Sequence, residues 1–94
     1  MHRLEIIANA SVREELEEAL ELAVPGFAYT VIPQAQGRGE RDRKLGTSTW
    51  PELNFILIAY LSDDDFPAAR KAVTSVRERF PREGIAQFDV PAME

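Results

Sequence analysis

The sequence predicts an α+β sandwich with element order β-α-β, long loop, β-α-β. Three observations predict it. Short segments of alternating or continuous apolar residues stand near both ends and in the middle of the chain. Two stretches carry apolar residues at helical spacing. Each helical stretch lies between two strand-like segments, so the β-α-β unit occurs twice in 94 residues.

Each element has a local reason. In residues 3–9, RLEIIAN, Leu4, Ile6 and Ala8 alternate with other side chains, the period of a strand. Ser11 precedes Glu14 by three positions, a capping-box pattern. Val12, Leu16, Ala19, Leu20 and Ala23 then fall on one helical face, with Glu14, Glu15, Glu17, Glu18 and Glu21 mostly directed to water. Pro25-Gly26 stops that helix. Residues 27–33, FAYTVIP, are rich in β-formers and predict a second strand with Phe27, Tyr29 and Val31 on one face. Residues 54–61, NFILIAYL, predict a third. Ser62-Asp63-Asp64-Asp65 offers N-cap chemistry and Pro67 suits a first helical turn. Ala69, Val73, Val76 and Phe80 form the second helical stripe, which Pro81 and Gly84 end before a last strand at 85–90. Two β-α-β halves in so short a chain predict the ferredoxin-like βαββαβ sandwich, with both helices on one face of a four-stranded sheet.

The third strand constrains the other face. It is apolar at both parities: Phe55, Leu57, Ala59 and Leu61 point one way, and Ile56, Ile58 and Tyr60 the other. A half-solvated strand would alternate. Each exposed Ile forgoes roughly 1.5–3 kcal/mol of burial. A cover for the second face is therefore expected, and other copies of the chain are the simplest one.

Composition excludes several function classes. Hydrophobic content of 45% predicts a globular core, and the length fits one domain over residues 1–94. The absence of Cys removes disulfides, zinc-thiolate sites and Cys nucleophiles. The opening MHRLEIIANASVREE has no long apolar run, and the longest such run, 55–61, is too short to cross a bilayer. A cytoplasmic protein without membrane insertion is expected, though a membrane protein could still be its target. The net charge of −5 opposes nucleic-acid binding. Phe55 and Tyr60 also have opposite parity and cannot stack bases together.

Catalytic and metal constellations are not evident. The one His is His2, expected to be exposed or partner-facing, and no Ser/His/Asp set forms. ANASVR after the first strand lacks the glycines of the acylphosphatase phosphate loop. Adjacent carboxylates at 63–65 point apart along a chain, so capping explains them better than calcium binding. No metal site and no enzymatic activity are expected.

The segment at about 34–53 carries the functional signal. Within it, 38–44 (RGERDRK) holds four basic and two acidic side chains inside an acidic protein. Gly37 and Gly39 would let backbone N–H groups approach an anion, and Arg38 between them could grip a phosphate or carboxylate bidentately. Read alone, the same tripeptide also fits a flexible hinge with an exposed Arg. Trp50-Pro51 could anchor the loop to its own body or present a hot spot to a partner. Thr47, Ser48 and Thr49 read as turn and cap residues.

Gln36-Gly37-Arg38-Gly39, then Leu45-Gly46-Thr47, Trp50-Pro51 and Asn54 together resemble the loop of small PII-like proteins, divergent members of the nitrogen regulatory PII superfamily. The layout of the whole chain is similar to that family, but the specific match is confined to 36–54. The resemblance implies a homotrimer with the sheets lining its centre. It implies a small anionic effector, often an adenine nucleotide in that family, at Gly37, Arg38 and Gly39 in the cleft between subunits. It also implies a projecting T-loop whose Arg41, Arg43, Lys44 and Trp50 contact a target protein. The alternative is a structural or interaction trimer without a small-molecule effector. Departures from ordinary PII proteins shape the expectation. Gly39 stands where those proteins carry the glutamine that helps bind 2-oxoglutarate. No Lys or Arg follows Arg82, so the basic residues that hold ATP phosphates are missing. The two tyrosines, Tyr29 and Tyr60, lie in strands, so the loop offers no acceptor for uridylylation.

Overall fold

The computed structural model describes residues 1–40, 43–47 and 51–94. Strand β1 spans His2–Asn9, a 3-10 turn Ala10–Val12 and helix α1 Arg13–Ala23. Strand β2 follows at Thr30–Ala35, the short strands β3 and β4 at Gly37–Arg38 and Arg43–Lys44, and β5 at Asn54–Leu61. Helix α2 is Phe66–Arg79 and β6 is Ile85–Pro91. The main sheet has order β2-β5-β1-β6 with every pair antiparallel, and β3-β4 form a separate two-stranded ribbon. This is the ferredoxin-like βαββαβ sandwich, as the sequence predicts.

The core lies between the sheet and the two helices. Leu4, Ile6, Ala8, Phe55, Leu57, Ala59 and Leu61 come from the central strands. Val12, Leu16 and Leu20 meet them from the first helical segment, and Phe66, Ala69, Val73 and Val76 from the second. These are the predicted stripes. Phe27, Tyr29, Val31, Ala19, Ala23 and Phe80 pack at the margin. Tyr29 donates a hydrogen bond to Glu21 (2.9 Å), and that bond, aided by desolvation, raises the phenol's pKa.

Two local readings need correction. The capping box does not form. Asn9 accepts from the Ser11 N–H at 3.1 Å, a 3-10 turn intervenes, and Ser11 Oγ donates to Glu83 rather than facing Glu14. At α2 the side-chain cap comes from Ser62, whose Oγ accepts from the Asp65 N–H at 3.2 Å. Asp65 itself makes no side-chain cap bond. The second strand begins at Thr30 rather than at 27. Phe27 and Tyr29 stack at 5.2 Å as a packed lead-in, which explains their strand-like composition. The β2 register shifts between Ile32 and Ala35, where Pro33 has no N–H to give the ladder.

The sheet's other face is open in the single chain. Register places Thr30 and Ile32, Ile56, Ile58 and Tyr60, Arg3, Glu5 and Ile7, and Ala86, Phe88 and Val90 on it. Ile32, Tyr60, Phe88 and Val90 are 40–55% exposed. Lone exposed apolar residues are ordinary, but a group spread over three strands of one face is not.

Candidate functional site

The predicted loop base is a cleft at one end of the open face. Its volume is about 530 Å³, and all main strands contribute to it. Strand β2 ends into it with Ala35, followed by Gln36, Gly37, Arg38 and Gly39; Lys44 comes from β4. The far wall is Ile7, Asn54, Ile56, Gly84, Ile85 and Ala86. Gly37, Arg38 and Gly39 all line this cleft.

Backbone and side-chain bonds fix this geometry. Gly37 pairs with Lys44 and Arg38 with Arg43 across the short ribbon. Of the two arginines that face each other across the ribbon, Arg38 lines the cleft, and with Lys44 it gives the cleft a positive charge that favours an anion. Gln36 Nε2 donates to the Leu45 carbonyl (3.1 Å), the Gly46 N–H to the Glu52 carbonyl (3.3 Å), and Lys44 forms an ion pair with Glu52. The two limbs of the loop are therefore tied at the base. The wall is tied too: Ala10 N–H donates to Leu53 O at 3.0 Å and Asn9 N–H to Gly84 O at 3.1 Å.

At Gly37 a larger residue would crowd Asn54. A Cβ there would lie 2.8 Å from Asn54 Nδ2. Gly46 is required by conformation, since its φ is +68° and the Leu53 side chain lies 3.1 Å from where a Cβ would stand.

Of the other predicted site residues, Arg43 is exposed on β4. The Lys44 side chain is only 12% exposed and lines the cleft, a placement the sequence did not suggest. Arg41 and Trp50 lie outside the described residues, as do Ser48 and Thr49. Sequence reasoning also overlooked the Gly84-Ile85-Ala86 wall, because it looked for cations there. The signal available was two small residues beside a strand start.

His2, expected to be exposed or partner-facing, is half-buried. It is stacked on Phe66 at 4.3 Å and 5°. Nδ1 lies 2.8 Å from Asp89 Oδ1 and Nε2 lies 2.9 Å from Asp63 Oδ1, so each ring nitrogen faces its own carboxylate. The Met1 ammonium bonds Asp63 at 3.3 Å; that bond and charge, with His2, hold the Asp63 carboxyl below its ordinary range. The cluster lies at the end of the sheet away from the cleft, because His2 pairs with Leu61 and Pro91 whereas Asn9 pairs with Asn54.

No protein-family model and no curated protein matches the sequence. Solved structures do match. CPII of Thiomonas intermedia K12, a nitrogen regulatory PII-like protein bound to ADP, AMP and bicarbonate, superposes with TM-score 0.70 at 18% identity, covering 95% of this chain and 84% of that one. Its apo form gives 0.63 at 17% identity, covering 95% and 87%. A protein of Thermus thermophilus described as PII-like and signalling gives 0.63 at 21% identity, covering 95% and 83%. The fold of this chain is the one those proteins share, and the resemblance first read from residues 36–54 holds across the whole architecture: the chain has the PII-like fold.

Proposed function

We propose that the chain is a PII-like regulatory protein, without catalytic activity, that binds a small anionic effector at the loop base and signals through the loop to a target protein. The observation that carries this reading is the cleft itself. Gly37, Arg38 and Gly39 converge there with Lys44, opposite an apolar wall, in a chain of PII-like fold. The apolar wall suits a flat base, and the cations suit its phosphate. CPII holds ADP, AMP and bicarbonate, which supports an adenine nucleotide as the effector class.

Homotrimer assembly through the open sheet face completes the reading. It would remove Ile32, Tyr60, Phe88 and Val90 from water. Ile7, Ile56 and Ala86 belong to both the open face and the cleft, so a neighbouring copy would form part of the site. Among the described residues that line the cleft, the cations are Arg38 and Lys44, and Lys44 also serves Glu52. That modest charge favours a mono- or diphosphate, or a smaller anion, over a triphosphate.

The test is native mass spectrometry and calorimetry with ATP, ADP, AMP, cyclic AMP and bicarbonate added in turn, on wild type and Arg38→Ala. The expected result is a trimer that retains ligand. Loss of a charge-assisted contact at Arg38 should weaken binding about 10- to 100-fold. A trimer that retains none of these ligands would replace the effector reading with that of an interaction module. A monomer would remove the assembly.

A further inference from the structure

The open face carries two charged residues in an otherwise apolar and hydroxyl-bearing setting. Arg3 and Glu5 sit on β1, a central strand. Arg3 stands between Tyr60 and Val90, and Glu5 between Ile58 and Phe88. Arg3 Nη2 lies 3.1 Å from Glu5 Oε2, with the two side chains 34% and 28% exposed. Arg3 Nε is already buried and has no hydrogen-bond partner.

Covering this face would strip the remaining water from both charges. An ion pair in water contributes little. A desolvated pair is repaid only when its surplus donors and acceptors are also satisfied. A guanidinium has five N–H donors, and Nη2 to Oε2 uses one of them. The aliphatic neighbours are non-directional and set no angle between copies. The surplus donors of Arg3 and the second oxygen of Glu5 do set one.

Building on the trimer reading above, we propose that Arg3 of each copy hydrogen-bonds Glu5 of its neighbour, closing a ring of charges that fixes the register and number of subunits. The pair acts as a specificity determinant rather than as a source of affinity. In a closed assembly every copy offers the same donors and receives the same acceptors. In a slipped or open arrangement some charges are left buried and unpaired, which is strongly unfavourable.

The experiment compares wild type, Arg3→Met, Glu5→Met, Arg3→Lys and the double variant Arg3→Met/Glu5→Met by native mass spectrometry over a dilution series. Circular dichroism checks folding. Each Met single variant should raise the concentration at which assembly is half complete by at least about 100-fold. The double variant should recover assembly but spread over several stoichiometries. Arg3→Lys keeps the charge and the fold but loses the planar fork, and should weaken assembly while remaining folded. Mixing the Arg3→Met and Glu5→Met chains should produce mixed assemblies at lower concentration than either alone, since a mixed trimer restores one of the three pairs and leaves one charge unpaired instead of three.

A wild-type trimer whose single variants assemble normally would overturn the charge ring and leave the trimer standing. A mixture as dissociated as its two components would overturn pairing between copies. A wild type that is monomeric throughout would overturn both.

Discussion

Replacing Gly37 by Ala tests the close approach on which the loop base depends. A Cβ at this position would meet Asn54 Nδ2 at 2.8 Å, whereas ordinary contact begins at 3.4 Å. The obstacle is the end of a side chain, so Asn54 can give way. Pushing it off its rotamer costs about 0.5–1.5 kcal/mol. Against this, removing a glycine restricts the unfolded chain and stabilises by about 0.4–1 kcal/mol. The expected net lies between a gain of about 0.5 kcal/mol and a loss of about 1 kcal/mol, so Tm falls by at most about 4–8 °C for a domain of this size. Gly84→Ala is the control. Its Cβ would meet nothing within 4 Å and its φ is not positive, so the gain should appear undiminished as a raised Tm. Thermal unfolding by circular dichroism should place Gly84→Ala highest, with Gly37→Ala clearly below it and close to or under wild type. Calorimetry with ADP should show a further, larger effect, because Gly37 and Asn54 both line the cleft. A Gly37→Ala protein that gains stability as Gly84→Ala does would refute the close approach.

Four other outcomes follow from the same structure. Gly46→Ala should destabilise by about 1–2 kcal/mol through its left-handed backbone, with further crowding against Leu53, read as a lowered urea midpoint. Ile58→Lys places a charge at the middle of the open face. It should leave the fold intact by circular dichroism but dissociate the proposed trimer in sedimentation velocity, since burying one unpaired ion per copy costs several kcal/mol. Asp63 has a folded pKa below its unfolded value, so its contribution is present above the unfolded pKa and lost as pH falls through the folded one. Asp63→Asn should therefore flatten the acid limb of the stability curve. Tyr29 is shifted upward, so its contribution is present below the unfolded value and lost as pH rises through the folded one. Tyr29→Phe should flatten the alkaline limb.

What was legible in the sequence depended on whether the cause was local. β5 was read at its observed bounds because a strand apolar at both parities has no helical alternative of that length. The helix stripes were read for the same kind of reason. The start of β2 was misplaced because Phe27 and Tyr29 have strand composition but pack as a lead-in. The N-terminal cap was misassigned because S-x-x-E satisfies a pattern that the 3-10 turn then pre-empts. The partners of His2 could not be read: Asp63, Phe66 and Asp89 are distant in sequence and meet it only through β1's register with its neighbours. At the cleft, Gly37-Arg38-Gly39 was legible as a motif, whereas the Lys44–Glu52 pair and the Gly84-Ile85-Ala86 wall arise from the pairing of limbs and strands.

The cleft and the open face share Ile7, Ile56 and Ala86, and this sharing couples two equilibria. A copy that covers the face excludes water from the apolar wall and strengthens any charge interaction at Arg38. A ligand that binds the covered cleft and not the open one must in turn favour assembly, by about 2.7 kcal/mol per site at 100 times its Kd. Dilution of the protein with and without ADP or bicarbonate would read this directly as a shift in the dissociation midpoint. A ligand that binds without moving the midpoint has equal affinity for the covered and uncovered cleft. Its site would then be built by one chain alone, from the Gln36–Gly39 limb and Lys44, and a neighbouring copy would add nothing to it.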